Sequence, residues 1–302
     1  MPARKEIQIL RLKHFIFILA LLVPFQVQAQ LLWKISGNGV AKPSYLFATN
    51  RLTDITFLDT IPNLFATYSR CDNIITEFAI EDYEAIAALR TAALLPDTVS
   101  AEDFLTPDQI KQLDVALQLT LEMSFHQLAR LKPQYIIELY RNELFNKWLN
   151  AANIRPANHF FEEVANQQGK PVIPLDDIGE ALYMMFDREP IYWQYEQLMK
   201  IIDYPEVEVR LEKNIRNLYK EGRLLDMAFL ISAPDNTATL SFSDYKVFCS
   251  RNKEWVRRLR PHLLKGNAFI PIDAMYLGGD DGLIALLRAD GYRVKPLNKP
   301  QR

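Results

Sequence analysis

Four short apolar runs in this sequence each end abruptly in polar or acidic residues. Apolar runs of this length, bounded by turn-forming residues, are typical of buried β-strands. In an open sheet of parallel strands, ligands bind beside the carboxyl ends of the strands. The sequence therefore predicts a sheet with a site where these runs end, at Asn50-Arg51, Glu77, Asp176-Asp177 and Asp273.

Two further strands are predicted, one before the first of these runs and one after the last. Residues 31–36 and 45–49 flank a Gly-Asn-Gly sequence, whose residue types supply the backbone angles of a hairpin turn. A closing strand is expected at residues 292–297. We therefore expect one antiparallel hairpin in addition to the strands that end in polar residues.

Long helical stretches separate the predicted strands. Apolar residues recur at three- and four-residue spacing over most of residues 80–168 and 178–266, which we interpret as helical insertions. The predicted fold is α/β, with a central mixed β-sheet of about five or six strands, flanking helices and these insertions. Because no low-complexity linker interrupts residues 30–302, we expect a single domain.

The first 29 residues have the pattern of a secretory signal peptide. Basic residues at the start precede a short apolar run at 15–23 and the small-residue exit Val27-Gln28-Ala29. The apolar run is shorter than the roughly 20 residues that span a bilayer. We predict export to the periplasm or the extracellular space, with no stable transmembrane anchor after cleavage. The alternative is an uncleaved N-terminal anchor.

The net charge argues against nucleic acid as a partner. It is −2 for the whole chain, and it becomes −5 when residues 1–29 leave with four basic side chains and one acidic side chain. Because binding to phosphates normally requires a basic face, we predict no nucleic-acid partner.

The chain has two cysteines, Cys71 and Cys249, which are far apart in sequence. In an oxidising compartment two thiols can pair. Each cysteine nevertheless lies in an apolar helical context, so two buried thiols are equally consistent with the sequence. The spacing matches no cysteine-based metal site.

Several short segments occur in an order and spacing that are more specific than any one of them. They are Leu31-Leu32-Trp33-Lys34-Ile35-Ser36-Gly37-Asn38-Gly39, Thr76-Glu77, Gly169-Lys170-Pro171-Val172, Arg251-Asn252 before Trp255, and Leu277-x-Gly279-x-x-Gly282-Leu283 before Gly291-Tyr292. Together these segments resemble the TraB/GumN family, and the resemblance covers almost the whole chain after residue 29.

This resemblance implies a relationship to the Tiki metalloproteases and to the erythromycin-esterase-like and ChaN-like proteins. Such proteins are expected to carry two Gly-x-x-His motifs at strand ends and a glutamate on the strand between them, which can hold a divalent metal. Here the motifs fall on residues 48–51 and 273–276, where Arg51 and Tyr276 replace the two histidines. The acidic positions keep Glu77 and Asp176.

The replaced histidines lead us to expect no cofactor, although the resemblance makes a divalent metal possible. Arg51 stays protonated and offers only hydrogen-bond donors, so it cannot ligate a metal. We expect Arg51 to take the place of the lost metal or imidazole and to pair with Glu77 or Asp273. In the alternative, Glu77, Asp176 and Asp273 hold a hard cation such as calcium or manganese, with Asp280 and Asp281 lending further oxygens.

Simpler explanations exist for the remaining candidate residues. Asp280-Asp281 suits the start of a helix after Gly278-Gly279. Arg251 is expected to pair with a carboxylate at the edge of the core. Three histidines after residue 29 are interpreted as surface or core residues: His126, His159 and His262. Of these, His159 is the best placed to approach the cleft.

Three functions remain open from the sequence. The favoured one is an exported TraB/GumN-like protein that has lost catalysis and binds a peptide, glycan or protein ligand in a strand-end cleft. The second is a metal-dependent hydrolase or metallopeptidase-like enzyme with an altered, carboxylate-based site. The third is a structural protein of the cell envelope. The candidate cleft residues are Arg51, Glu77, Asp176, Asp273, Tyr276 and Arg251.

Overall fold

A mixed sheet of six strands forms the centre of the fold. The computed structural model describes residues 30–52, 54–79, 83–149, 155–232 and 242–297, so the predicted signal peptide lies outside the described residues. The predicted α/β fold with five or six strands is confirmed. The strands are β1 (Leu32–Ser36), β2 (Ser44–Thr49), β3 (Asn73–Thr76), β4 (Val172–Pro174), β5 (Ala268–Asp273) and β6 (Arg293–Pro296).

The predicted hairpin forms one half of this sheet. Strands β1 and β2 pair antiparallel, and β6 pairs antiparallel with the free side of β1. All three residues of the Gly37-Asn38-Gly39 turn have positive φ. Glycine and asparagine adopt this left-handed region at less cost than other residues, which is why the chain reverses here.

The other half of the sheet is parallel. β5 lies between β2 and β3, and β4 pairs with the outer side of β3. Thr49 at the end of β2 is directly opposite Asp273 at the end of β5. The carboxyl ends of β2, β5, β3 and β4 therefore meet at one edge of the sheet, in that order.

Helices cover the sheet and form a separate layer beside its carboxyl edge. Within the described residues they are α1 (Leu64–Arg70), α2 (Tyr83–Ala92), α3 (Pro107–Leu121), α4 (Phe125–Leu128), α5 (Pro133–Leu149), α6 (Ala157–Gln167), α7 (Ile178–Leu182), α8 (Ile191–Asp203), α9 (Pro205–Lys220), α10 (Leu224–Ser232), α11 (Phe242–Lys265) and α12 (Leu283–Ala289). A π-helical turn, Tyr183–Asp187, follows α7 directly. No described helix combines the length and apolar character needed to cross a membrane.

Two helix boundaries differ from the sequence prediction. Apolar residues at helical spacing from Phe57 to Arg70 predict one helix, but the structure divides this segment into a 3-10 turn, Ile55–Thr60, and α1. Pro62 explains the division, because the residue before a proline is disfavoured in the helical region, and Ile61 is extended at φ −85° and ψ 114°. Pro261 neither ends nor divides α11, which continues to Lys265.

Two apolar clusters stabilise the two layers. The first surrounds the sheet, where Phe161 of α6 packs against Phe47 and Phe269 with ring centroids 5.6 and 4.8 Å apart. The second lies among α3, α5 and α8 and includes Leu113, Ile136 and Leu198. Apolar residues recur at helical spacing along α5, but not all of them are buried, since Trp148 is exposed. The carboxyl edge of the sheet faces the space between the two clusters.

The structure also settles the state of the cysteines among its described residues. Cys71 and Cys249 are not joined by a disulfide. The Cys71 thiol is buried, and its Sγ donates to the carbonyl oxygen of Thr67 at 3.3 Å. Burial raises the pKa of this thiol to about 12, so Cys71 is a structural residue rather than a nucleophile.

Candidate functional site

A cleft of about 840 Å³ opens where the parallel strands end. One wall consists of residues that follow β2, β3 and β5, and the opposite wall comes from α5, α8, α9 and the π-helical turn. Five of the six sequence-predicted residues line it: Arg51, Glu77, Asp273, Tyr276 and Arg251. The sixth, Asp176, lies behind this lining and contacts Arg251.

Arg251 of α11 occupies the corner where three of the predicted residues meet. Its Nε donates to Oδ2 of Asp176 at 2.6 Å, and its Nη1 is 3.9 Å from Oε2 of Glu77. Nη1 also donates to the hydroxyl of Tyr276. The guanidinium stacks 4.4 Å from the ring centroid of Trp255, and all four partners are buried. A fixed positive charge therefore holds the two carboxylates together.

The remaining oxygens of these carboxylates are also engaged. Oδ1 of Asp176 accepts a hydrogen bond from the Trp255 indole nitrogen at 2.6 Å. Oε1 of Glu77 accepts the backbone N–H of Asp273 at 2.7 Å, and Oδ1 of Asp273 accepts the N–H of Met275 at 2.9 Å. Because the side chain of one strand holds the backbone of the next, the ends of β3 and β5 keep a fixed relative position.

The Trp255 hydrogen bond can be tested with a single substitution. Trp255→Phe is expected to lower the free energy of unfolding by about 2 kcal/mol, because a buried carboxylate loses a donor. Urea-induced unfolding measures this change. Trp148→Phe is the matched control, since Trp148 is exposed, and it is expected to cost less than about 0.5 kcal/mol. Equal stability of the two variants would show that the indole donor contributes nothing.

Burial shifts the titration of the acidic groups in the cleft. It raises the pKa of Glu77 to about 7, with Arg251 opposing the shift and Asp273 adding to it. It also raises the pKa of Asp273 and of the Tyr276 phenol. Tyr276 is therefore a neutral hydroxyl at physiological pH, whereas Glu77 exchanges a proton close to neutrality.

Arg51 does not have the partner that the sequence predicts. Its Nη1 donates to Oε2 of Glu138 at 3.0 Å, and neither Glu77 nor Asp273 is within ion-pair distance among the described contacts. The prediction of a pair with Glu77 or Asp273 is wrong: β5 separates β2 from β3 and hence Arg51 from Glu77, and Glu138 of α5 takes the guanidinium in place of Asp273. Arg251, not Arg51, compensates Glu77 and Asp176.

The helical wall contains charged residues that the sequence did not single out. Arg141 of α5 forms an ion pair with Glu208 of α9 at 3.0 Å and approaches Glu138 at 3.7 Å. Burial alone would raise the pKa of Glu138, but Arg51 and Arg141 hold it below its usual value. Glu212, one turn beyond Glu208, also lines the cleft. In the sequence these charged residues resemble a solvated helical face, so no local signal identified them.

Other predicted residues lie in different surroundings. His159 lines the cleft, where burial and the charge of Arg155 lower the pKa of its imidazole to about 4. Asp177 caps α7 by accepting the N–H of Glu180 at 2.8 Å. Asp280 and Asp281 do not cap α12, whose N-cap is Gly282, and Asp281 is 3.6 Å from Lys253. His126 is exposed, and neither it nor His262 lines the cleft.

The donor set at the strand ends does not fit the divalent metal that the family resemblance implies. Arg251 already occupies the corner between Glu77 and Asp176, and the neutral Tyr276 hydroxyl accepts from the same guanidinium. Among the described residues, no group of three or more His, Cys, Asp or Glu side chains is arranged to hold a metal ion. The absence of a cofactor stays a prediction.

The fold and the cleft define an α/β protein with a charged strand-end site beneath a helical layer. The model of the TraB/PrgY/gumN family matches residues 31–296, and the chain belongs to this family. The resemblance noted in the sequence is thereby confirmed. Neither the curated proteins nor the solved structures contain a match to this chain.

Proposed function

We propose that this protein is an exported member of the TraB/PrgY/gumN family that binds a peptide, glycan or protein ligand in the strand-end cleft without metal-dependent catalysis. The observation that carries the proposal is the position of Arg251. Its guanidinium lies against Glu77, Asp176 and the hydroxyl of Tyr276, the residue that stands in place of the second motif histidine. A guanidinium supplies only donors and keeps its proton, so this corner is suited to holding charge in place.

The cleft has the size and lining of a ligand site. Its volume of about 840 Å³ lies within the range of roughly 300–1,000 Å³ that small-molecule sites occupy. Apolar side chains such as Met184, Phe186 and Trp193 line it together with polar ones such as Gln134 and Gln197. Flexible methionines adapt to the shape of a ligand, while the amides offer both donors and acceptors.

A metal titration and a thermal-shift screen test this function. Calorimetry on the purified protein is expected to show no tight binding of one equivalent of zinc or cobalt. A bound peptide or glycan should raise the melting temperature, because a ligand that binds only the folded state stabilises it. The same mixtures, followed by mass spectrometry, should contain no cleaved product. Tight binding of one metal equivalent, or turnover that a chelator abolishes, contradicts the proposal.

The alternative is a hydrolase that uses the carboxylates of the cleft, and one observation favours it. Because burial raises the pKa of Glu77 to about 7, this side chain can accept or donate a proton near neutral pH. In that case turnover of a cleft ligand would be lost in Glu77→Gln. The binding function instead requires that no turnover be detected in either the wild type or the variant.

A further inference from the structure

The charged residues that line the cleft do not balance. Six carboxyl groups face it, against four guanidinium groups. Each guanidinium has a carboxylate partner: Arg51 pairs with Glu138, Arg141 with Glu208, Arg188 with Glu189, and Arg251 with Glu77 and Asp176. Two carboxyl groups of the lining, Glu212 and Asp273, have no ion pair among the described residues.

Glu212 is the more unusual of the two. Only 5% of this residue is exposed, and its Oε1 is buried without a hydrogen-bond partner in the described part of the chain. A buried polar atom without a partner costs roughly 1–3 kcal/mol, and an unpaired charge costs more. A ligand that donates a hydrogen bond to Oε1 would explain why this unpaired carboxyl is present on the wall of the cleft.

Asp273 is a second carboxyl group in the cleft without a positively charged partner among the described residues. Its carboxyl accepts one backbone N–H, from Met275, and it lines the same cleft at the end of β5. The charge of Asp273 acts on Glu212 and adds to the upward shift of the Glu212 pKa that burial causes. Arg51 attracts both groups, but its guanidinium is hydrogen-bonded to Glu138. A hydroxyl group would satisfy a hydrogen bond here without removing this repulsion, whereas a cation does both.

The walls beside this corner are apolar. Leu211 and Ile215 line the cleft close to Glu212 on α9, and Met275 lines it two residues after Asp273. A small hydrated ion gains nothing from such a surface. An ammonium group carried on an apolar chain gains both the charge pairing and the burial of its carbon atoms.

We propose that Glu212 and Asp273 form a recognition site for a primary ammonium group on an apolar chain, as in a lysine side chain between apolar residues. This inference rests on the proposed function, because it names the chemistry of the ligand that the same cleft binds. The carboxyl of Glu212 receives the ammonium hydrogen bonds, and Asp273 adds a second negative charge.

A matched pair of ligands tests the site by calorimetry on the full protein. The probes are the tripeptide Leu-Lys-Leu with blocked ends and the same peptide with an Nε-acetylated lysine. The charged peptide is expected to bind about thirtyfold or more tightly than the acetylated one, because acetylation removes the cation from a buried pair. Glucosamine and N-acetylglucosamine are a second pair of probes. Tighter binding of glucosamine than of the charged peptide would place the ammonium on a sugar and overturn the proposal that it is carried on an apolar chain.

Variants on α9 separate recognition from folding. Glu212→Gln is expected to abolish the preference for the charged peptide while the melting temperature is maintained or raised. Glu206→Gln, an exposed position on the same helix, should preserve the preference. Equal affinity of the two peptides for the wild type, an unchanged preference in Glu212→Gln, or no binding of either peptide at millimolar concentration overturns the ammonium site. The proposed function fails separately, if the protein turns over a cleft ligand or binds a metal.

Discussion

Arg251→Met is expected to lower the free energy of unfolding by about 3–5 kcal/mol, measured by urea-induced unfolding at pH 8. The substitution keeps a long side chain but removes the cation that lies 3.9 Å from Glu77 and 2.6 Å from Asp176. Both carboxylates are buried; Glu77 is left without an ion pair, and Asp176 keeps only the more distant Arg258, at 3.4 Å. The loss should be smaller at pH 5, because Glu77 then takes up a proton and no longer needs the cation.

Lys253→Met provides the matched control on the same helix. Lys253 is 3.6 Å from Asp281, and 63% of its side chain is exposed. Ion pairs at exposed positions contribute little, so a change of no more than about 0.5 kcal/mol is expected. If Arg251→Met is as stable as Lys253→Met, the guanidinium does not compensate the strand-end carboxylates, and the main support for a binding function disappears.

Glu212→Gln is expected to have the opposite sign and to stabilise the protein at pH 8 by about 2–3 kcal/mol. Burial raises the pKa of Glu212 to about 7 from its ordinary value of 4.5, with Arg51, Arg216 and Arg141 opposing the shift and Asp273 adding to it. Between these pH values the folded protein holds a proton that the unfolded chain releases. The penalty is therefore absent below about pH 4.5, grows as the pH rises, and is complete above about pH 7.

The diagnostic quantity is the difference between the stability gain of Glu212→Gln at pH 8 and its gain at pH 5. Thermal or urea unfolding of Glu212→Gln and wild type should differ most at pH 8 and little at pH 5. Glu206→Gln should show no such dependence, since Glu206 is exposed on the same helix. A gain that is equal at both pH values would show that the substitution acts through packing rather than through the charge. Combined with loss of ammonium recognition, the pH-dependent gain would mark Glu212 as a residue retained for binding at the expense of stability.

The sheet could be predicted from the sequence because its signals are local. Each strand is a short apolar run that ends at a polar residue or a turn, and Gly37-Asn38-Gly39 determines the hairpin without help from distant residues. Helix starts with side-chain caps were equally accessible. Thr106 and Gln109, for example, form a capping box before α3, and Thr-x-x-Gln is a local pattern for such a box.

The pairing within the site could not be predicted because it depends on distant elements. Arg51 and Glu138 are 87 positions apart, and nothing near either residue specifies the other. Glu138, Arg141, Glu208 and Glu212 lie on helices whose charged residues resemble a solvated face in the sequence. They line a cleft only because the helical layer packs over the carboxyl edge of the sheet. Arg251 was expected to pair with a carboxylate, but its contact with Tyr276 depends on how α11 packs beside the turn that follows β5.

Because β5 lies between β2 and β3, the sheet can be completed only late in folding. Ser44 and Ala268, which start these neighbouring strands, are 224 positions apart, and the Ala268 N–H donates to the Ser44 hydroxyl at 3.1 Å. Closing so large a loop is entropically costly, and folds dominated by such long-range pairs form slowly. During synthesis, β2 and β3 are complete long before the strand that joins them, so their edges stay open until nearly the whole chain has emerged. A product truncated before β5 lacks Asp273 and Tyr276 and therefore cannot form the cleft.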